Sequence, residues 1–424
     1  MAFDPSTGTL YATLVGGTEN TIAVVNANTC NTRDISGCGQ TPTLVTVPGV
    51  TFNDDFGQAS NIVLDPVTHT LYIGDAAGGP VSFLNTATCN GTHTSGCSQP
   101  LVTTATNGDS LTIDHTNHSV YVTNLVDATL SVFDSANCNA GNTSGCGQTA
   151  GPFPNYFTGV PGAADEATHT IYMDLGVTGT LDYVGMIDGS TCNAIVTSSC
   201  GNAPPMVQVG HAPSEIAIDP TTRTVYVVNQ GSAKVSVINA ATCNATNQAD
   251  CTPLPLPALV SGLFPFGIGI DVNMHTLYVP SQDANNVWVL DASKCNATHI
   301  SGCTRFAPTT TVGVAPAGIA ANPNTNTVYE ANQTDNTASV MNTSLCNASN
   351  TSGCNQSWPT IPLGNAPRFI GINKITNTIY VSNRDDNTLS VIDGATCNSS
   401  NTSGCSQSQP TTAVGNVPPT DRRR

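Results

Sequence analysis

Charged residues, and basic residues above all, are scarce in this sequence. Only 9% of its 424 residues are charged, and 11 Lys and Arg stand against 28 Asp and Glu. The one basic cluster is Arg422-Arg423-Arg424, at the end of the chain. Because a nucleic-acid-binding protein must neutralise many phosphates with basic side chains, this composition argues against nucleic acid as a partner.

Long apolar runs are missing as well. The most apolar stretch, residues 254–270, is broken by Pro255, Pro257 and Pro265, so we predict no membrane-spanning segment. No segment shows helical periodicity with caps. No signal peptide stands at Met1, so we expect either that an export signal was removed or, the interpretation we favour, that the sequence is part of a longer chain.

Cysteine, by contrast, is abundant and regularly placed. The 16 cysteines form eight pairs with seven residues between partners: Cys30 with Cys38, Cys89 with Cys97, Cys138 with Cys146, Cys192 with Cys200, Cys243 with Cys251, Cys295 with Cys303, Cys346 with Cys354, and Cys397 with Cys405. Successive pairs are about 51 residues apart, a period that is typical of propellers and solenoids.

Each repeat contains four short segments rich in β-branched residues, which we name strands A to D. In the eighth copy these are 369–373, 378–382, 388–393 and 409–415, and the cysteine loop lies between C and D. Strand B carries one tyrosine in every copy, which we interpret as a packing residue between neighbouring sheets. These tyrosines are Tyr11, Tyr72, Tyr121, Tyr172, Tyr226, Tyr278, Tyr329 and Tyr380.

Four strands repeated eight times predict an all-β fold, an eight-bladed β-propeller in a single domain. Two four-bladed rings are less favoured, because no linker or composition shift interrupts the chain near residue 205. We expect no strand exchange to close the ring. The approximate blades are 1–50, 58–107, 108–158, 159–210, 211–262, 263–313, 314–364 and 365–415.

The repeat resembles the YVTN-type β-propeller family of bacterial and archaeal surface and secreted proteins. The tetrapeptide stands at Tyr121-Val-Thr-Asn124, with variants at 226–229 and 380–383, whereas blade 4 departs from the pattern after Tyr172. This resemblance covers almost the whole chain. It implies the propeller fold and an extracellular or cell-surface location, but these repeats say little about activity.

The cysteine loops are best explained as disulfide loops. A polar C–D loop that returns on itself brings its ends within the distance that a disulfide needs. The alternative, zinc binding, requires four ligands close together, whereas a propeller spreads its loops around a ring. We therefore predict eight disulfides within the loops, which indicates an oxidising compartment outside the cytoplasm.

Histidines and aspartates at the A–B hairpins could suggest a metal site, but we interpret them as turn residues. His69, His118, His169 and His275 share one position, which Gly8, Arg223, Asn326 and Asn377 fill in the other copies. The aspartates that end strand A are replaced by Asn322 and Asn373 in two copies. A position that accepts Gly or Arg is a turn, and we predict no metal site or cofactor.

The D–A connections, by contrast, depart from the repeat. They carry aromatic residues and nearby carboxylates, which could bind a ligand. The alternative, which we favour, is that these rings plug the central channel or pack between blades. The candidate ligand face consists of Phe52, Asp54, Asp55, Phe56, Phe153, Tyr156, Phe157, Phe264 and Phe266. An enzyme site at the channel mouth would draw on Asp54, Asp55, Glu166, His211 and Glu215.

Asn-X-Ser/Thr motifs (sequons) number twelve, close to the chance expectation of about nine for this composition. Eight lie inside the cysteine loops and are candidate glycosylation sites: Asn90, Asn142, Asn244, Asn296, Asn347, Asn350, Asn398 and Asn401.

The sequence as a whole favours an extracellular binding scaffold without catalysis. It would be a surface or adhesion module that binds a glycan, a protein or copies of itself. No nucleophile elbow, phosphate-binding loop or haem-attachment motif is present. The alternative is an enzyme of lyase or lactonase type with its site at the channel mouth.

Overall fold

Eight antiparallel sheets follow one another along the chain, as the repeat predicts. The computed structural model describes residues 1–14, 20–50, 52, 62–75, 77–124, 129–146, 162–178, 181–251, 264–299, 303 and 308–415. No helix in these ranges is long and apolar enough to cross a membrane.

Each sheet forms one blade, whose strands pair in the order A-B-C-D. The strands of blades 1 to 4 are β1 (Ala2–Asp4), β2 (Thr9–Leu14), β3 (Thr21–Asn26), β4 (Thr43–Thr46), β5 (Ile62–Asp65), β6 (Thr70–Ile73), β7 (Pro80–Asn85), β8 (Val102–Asn107), β9 (Ser110–Asp114), β10 (Ser119–Asn124), β11 (Thr129–Asp134), β12 (Ala163–Asp165), β13 (Thr170–Thr178), β14 (Leu181–Asp188) and β15 (Met206–Gln208). The strands of blades 5 to 8 are β16 (Pro213–Asp219), β17 (Thr224–Asn229), β18 (Lys234–Asn239), β19 (Gly269–Asp271), β20 (Thr276–Ser281), β21 (Asn286–Asp291), β22 (Thr309–Thr311), β23 (Pro316–Asn322), β24 (Thr327–Asn332), β25 (Thr337–Asn342), β26 (Thr360–Pro362), β27 (Pro367–Asn373), β28 (Thr378–Asn383), β29 (Thr388–Asp393) and β30 (Thr411–Ala413).

The fold is an eight-bladed β-propeller with four antiparallel strands per blade. In blades 3 and 5 the described residues include strands A to C, since 147–161 and 252–263 lie outside the described ranges. The A strands of neighbouring blades contact one another, as β23 does β27 and β1 does β5, and they surround the central channel. A single-turn 3-10 helix, Ser352–Cys354, interrupts the seventh cysteine loop.

Apolar side chains fill the space between each blade and the next, which we call a seam. Each seam cluster joins the strand B tyrosine of one blade to the cysteine pair of the following blade. Strand C is buried along its length in most blades, as in β18 and β29, because sheets cover both of its faces. The tyrosines therefore pack between sheets, which confirms the interpretation from sequence.

The last seam joins blade 8 to blade 1. Tyr380, Leu389 and Val391 of blade 8 pack against Leu10 and Val25 of blade 1. Blade 1 is built from β1–β4 alone and blade 8 from β27–β30 alone. Within the described residues, the ring is therefore closed by side-chain packing without an exchanged strand, as the sequence predicted.

The connections divide between two faces of the ring. The A–B hairpins and the cysteine loops meet on one face, where Thr32 Oγ1 of the first cysteine loop donates to the Thr376 carbonyl at 2.9 Å. We call this the disulfide face. On the opposite face, which we call the channel-mouth face, the D–A connections bond to the B–C turns, as when the Gln230 N–H donates to the Ala212 carbonyl at 2.7 Å.

Candidate functional site

The predicted disulfides are present in all eight loops, and none of the 16 cysteines is free. The two Cα atoms of each disulfide lie 4.5–4.7 Å apart. The bonded pairs are Cys30 and Cys38, Cys89 and Cys97, Cys138 and Cys146, Cys192 and Cys200, Cys243 and Cys251, Cys295 and Cys303, Cys346 and Cys354, and Cys397 and Cys405. The cysteine loops are thus disulfide loops, and the pairing predicted from the sequence is confirmed for every cysteine.

The disulfide loops also hold neighbouring blades together, which the sequence did not reveal. Each strand B tyrosine donates its hydroxyl hydrogen to the carbonyl of the first cysteine in the next blade, at 2.7–2.9 Å. Burial raises the pKa of all eight tyrosines above its usual range, which keeps each hydroxyl protonated as a donor.

A second hydrogen bond accompanies each tyrosine. The Thr or Ser that opens strand B accepts the backbone N–H of the residue two places after that cysteine, at 2.8–3.2 Å. Both bonds recur at all eight seams. The contacts on the disulfide face therefore have a structural role, which is to hold neighbouring blades together.

The A–B hairpin positions behave as the sequence predicted. The histidines and their counterparts adopt the left-handed conformation in all eight copies, with φ between 46° and 62°. The Asp or Asn that ends strand A accepts the N–H two residues further on, as Asp219 does from Thr221 at 2.9 Å. These residues are turn formers. Among the described residues, no group of three or more His, Cys, Asp or Glu could hold a metal ion.

The predicted ligand face is only partly described. Asp54, Asp55, Phe56, Phe153, Tyr156 and Phe157 lie outside the described residues. Phe52 is buried in the seam between blades 1 and 2, so it has a packing role. Phe264 and Phe266 lie on the channel-mouth face, just before β19.

Phe264 is held in an unusual backbone conformation. It is 42% exposed and has φ +64°, at a position that blades 5, 7 and 8 fill with Ala212, Ala315 and Ala366. A bulky residue is rarely found in the left-handed region, and strain of this kind clusters at functional sites. The left-handed backbone recurs at this position in those three blades, so the exposed phenyl ring in place of a methyl group is the feature that distinguishes Phe264.

Near the channel-mouth face, a buried arginine lies over an aromatic ring. The Arg368 guanidinium carbon of blade 8 lies 5.5 Å from the centroid of Phe266, which precedes blade 6. It lies at the same distance from Phe369. Blade 7 supplies Ala317 and Gly318 in between, and the small residues leave room for this contact across the channel mouth. The geometry is that of a cation–π interaction.

Glu215, at the start of β16, supplies an acid at the same end of the channel. Its carboxylate lies beside Gly267, whose backbone has φ +85° and where an added Cβ would come within 3.6 Å of Oε2. Loss of hydration raises the pKa of Glu215 to about 7, and the Ile268 N–H opposes this shift. An acid with this pKa can exchange a proton at neutral pH.

Of the other acid–base candidates, Asp54 and Asp55 lie outside the described residues, whereas Glu166 and His211 are described. Glu166 is exposed in the A–B hairpin of blade 4, on the disulfide face. His211 Nδ1 lies 2.8 Å from the buried carboxylate of Asp182, which also accepts the Ala212 N–H at 2.7 Å. Asn285 and Asn336 make the same bond to the Ala315 and Ala366 N–H groups, so Asp182 has a structural role that recurs.

Half-buried isoleucines of the A strands, Ile218, Ile319, Ile370 and Ile372, pack against the seam clusters. The channel mouth carries a guanidinium, a titratable carboxyl group and an exposed phenyl ring. The sequence analysis named Glu215, Phe264 and Phe266 but missed Arg368, which is 102 residues from Phe266.

The structure separates the eight loop sequons into two sets. Asn90, Asn244, Asn296, Asn347 and Asn398 directly follow a cysteine and are buried, with 2–6% of their surface exposed. Asn142 and Asn401 are exposed, and Asn350 is half-buried.

Comparisons with known proteins identify a fold. No protein-family model matches the chain, and no curated protein matches its sequence. The dihydro-heme d1 dehydrogenase NirN in complex with DHE is similar in structure, with 11% identity and a TM-score of 0.59 over 98% of this chain and 75% of that one. Apo AztD from Citrobacter koseri has 9% identity and a TM-score of 0.56, over 97% and 95% of the two chains.

A third solved structure, hydrazine synthase of Kuenenia stuttgartiensis, has 13% identity and a TM-score of 0.51 over 82% of this chain and 98% of that chain. At such low identities, structural likeness shows the fold alone. The chain is a disulfide-containing β-propeller.

Proposed function

We propose that this protein is an extracellular binding scaffold that engages a glycan at its channel-mouth face. The observation that carries the proposal is a difference between the two faces. On the disulfide face all eight blades use the same Tyr, Thr or Ser, and Cys contacts. On the channel-mouth face, blades 5, 6 and 8 place Glu215, Phe266 and Arg368 at inner-strand positions where blade 7 has Ala317 and Gly318.

The chemistry of the mouth suits a carbohydrate. An exposed phenyl ring offers an apolar surface for the flat face of a sugar, while an arginine and a carboxyl group hydrogen-bond to hydroxyl groups. The eight disulfides support a location in an oxidising compartment, outside the cytoplasm. The resemblance to YVTN-type repeats of surface and secreted proteins supports the same location.

A glycan array probed with the purified chain and with Phe264→Ala tests this proposal. Alanine is the residue that blades 5, 7 and 8 carry at this position, so the variant keeps the fold. We expect Phe264→Ala to retain the melting temperature and to lose at least tenfold in glycan affinity. Ile195→Ala, which removes an 82% exposed side chain from the disulfide face, is the matched control and leaves binding unchanged.

Equal binding by Phe264→Ala and the original chain would refute the proposed site. If the chain binds immobilised copies of itself or another protein but no glycan on the array, the ligand is one of those partners and not a glycan. The location is tested separately, by finding the native protein in the cell-surface fraction with its thiols blocked as disulfides.

Glu215 supports a second candidate, an enzyme of lyase or lactonase type. Its pKa of about 7 is suited to a general acid or base. Under this alternative the chain would open lactones in a panel of substrates, and Glu215→Gln would abolish that activity while the fold is kept. If the chain opens no lactone in the panel, the enzyme interpretation is wrong.

A further inference from the structure

The residue directly after the first cysteine is asparagine in every disulfide loop. Its amide nitrogen donates to the carbonyl four residues earlier, at 2.6–2.8 Å, in all eight copies. Its amide oxygen accepts the N–H groups two and three residues further on, as Asn90 does from Thr92 and His93 at 3.0 and 2.9 Å. This asparagine therefore organises the loop from within.

The asparagine is present whether or not the loop contains a sequon. Asn31, Asn139 and Asn193 have Arg, Gly and Ile two places later, yet make the same hydrogen bonds as the five sequon asparagines at this position. Its role in the loop therefore explains its recurrence. The sequons at Asn90, Asn244, Asn296, Asn347 and Asn398 arise because these loops have a Ser or Thr two places after this asparagine.

The position three residues later is exposed in six loops and half-buried in the first and seventh. There the side chain varies among Asp34, His93, Asn142, Val196, Asn247, His299, Asn350 and Asn401. The side-chain oxygens of Asn142 and Asn401 accept the hydroxyl of the Ser two places later at 2.8 Å, and Asn350 does so at 2.7 Å. The Asn401 amide nitrogen makes one exposed bond of 3.2 Å, to the Ala395 carbonyl, and those of Asn142 and Asn350 donate to no described residue.

We infer that four sequon asparagines are acceptors of N-linked glycans: the exposed Asn142 and Asn401, the half-buried Asn350, and the exposed Asn355 beside the seventh loop. The five buried sequon asparagines of the loops are not. In the transfer, the amide nitrogen bonds to the anomeric carbon of a lipid-diphosphate-linked oligosaccharide. The anomeric C–O bond breaks, the lipid diphosphate leaves, and the nitrogen gives one proton to the transferase.

The burial of these asparagines also determines whether glycan transfer comes before or after folding of the loops. A sugar on Asn90 or Asn398 would replace a hydrogen on a nitrogen that is enclosed in the loop and bonded to a backbone carbonyl, so that loop could not adopt its folded shape. Glycan transfer to this chain must therefore follow the closure of the disulfide loops.

Two loops contain both kinds of sequon, which makes a matched test within one peptide. Glycopeptide sequencing of the native protein from its own host should find sugar on Asn350 and Asn401, and none on Asn347 and Asn398. For variants expressed in that host, Asn401→Gln should lower the intact mass by one glycan and leave the melting temperature unchanged. Asn398→Gln should leave the glycan content unchanged and lower the melting temperature.

Sugar on any of the five buried loop asparagines would overturn the inference, as would native protein that carries no glycan at Asn142, Asn350, Asn355 or Asn401. Because the peptide map uses the native chain, it decides the matter even if Asn398→Gln fails to fold. The outcome is independent of whether the channel-mouth face binds a glycan ligand.

Discussion

At the scale of single residues, the tyrosine hydroxyl is the feature that joins one blade to the next. Tyr226 donates to the Cys295 carbonyl at 2.9 Å in the seam between blades 5 and 6. The sequence places this tyrosine correctly as a packing residue. It does not reveal the acceptor, since a backbone carbonyl 69 residues away is not marked by any side chain.

Replacing Tyr226 by Phe removes only this hydrogen bond. The buried Cys295 carbonyl then lacks a partner, so we expect the free energy of unfolding to fall by about 1–3 kcal/mol. Urea denaturation at neutral pH measures the change. The half-buried Tyr183, outside the repeat position, supplies the control Tyr183→Phe, and an equal loss in both variants would contradict a specific role for the seam bond.

Glu330 is a buried acid at a position that is otherwise apolar. It follows the strand B tyrosine of blade 7, where other blades have Val122, Val227, Val279 and Val381. It is 0% exposed, and among the described residues neither carboxyl oxygen has a hydrogen-bond partner of normal geometry. Burial raises the pKa of Glu330 well above its usual range, and the nearby Ala317 N–H offsets this only in part.

Glu330→Val should therefore stabilise the protein, and more so at higher pH. The folded chain keeps this carboxyl protonated, whereas the unfolded chain ionises it above its ordinary pKa of 4.5. The stability of the folded chain is therefore unaffected by this titration below that pH, and it falls by about 1.4 kcal/mol per pH unit as the pH rises from there toward the folded pKa.

Denaturation at pH 4 and pH 8 measures the difference. Glu166→Gln, on an exposed acid, is the control and should show no such trend. If Glu330→Val is no more stable at pH 8 than the original chain, the claim that Glu330 is buried in its neutral form is wrong.

At the scale of elements, each disulfide loop is closed by a covalent bond and also makes a hydrogen bond across a seam. Cys89–Cys97 closes a short loop whose first carbonyl accepts Tyr11 at 2.8 Å. We expect Cys89→Ala with Cys97→Ala to lower the free energy of unfolding by about 2.5 kcal/mol through the entropy of the unfolded chain. Lost order in the loop then weakens the seam with blade 1.

Thermal denaturation and hydrogen exchange at the Tyr11 strand measure both effects. Thr94→Ala, on an exposed side chain of the same loop, is the control. A double variant that melts with the original chain would show that the loop keeps its shape without the bond.

Strand positions follow from the sequence more closely than strand ends do. β29 has the predicted bounds, whereas β27 begins at Pro367, two residues before the predicted start. Its pairing with β28 is irregular between Pro367 and Ile370, which an alternating pattern cannot reveal. β30 is only Thr411–Ala413, because it pairs with only three residues of β29.

At the scale of the whole molecule, the repeat determines the architecture and the departures from it mark the candidate site. The cysteine spacing and the tyrosines were enough to predict eight blades and eight disulfides. The contact of Arg368 with Phe266 was not predictable, since it depends on which inner strands meet across the channel mouth. Phe264 was selected as an aromatic residue, but its strained backbone is a property of the fold.

The seam between blades 8 and 1 has a mechanical consequence. Seven seams are each crossed by a D–A connection of the chain, whereas within residues 1–415 the eighth is held by side-chain packing, by Tyr380 donating to the Cys30 carbonyl, and by the contacts of Thr32. Under tension applied across the ring, this seam can part without stretching any backbone. The propeller would then open at this one seam into a curved row of blades. The disulfide loop of each blade would stay closed.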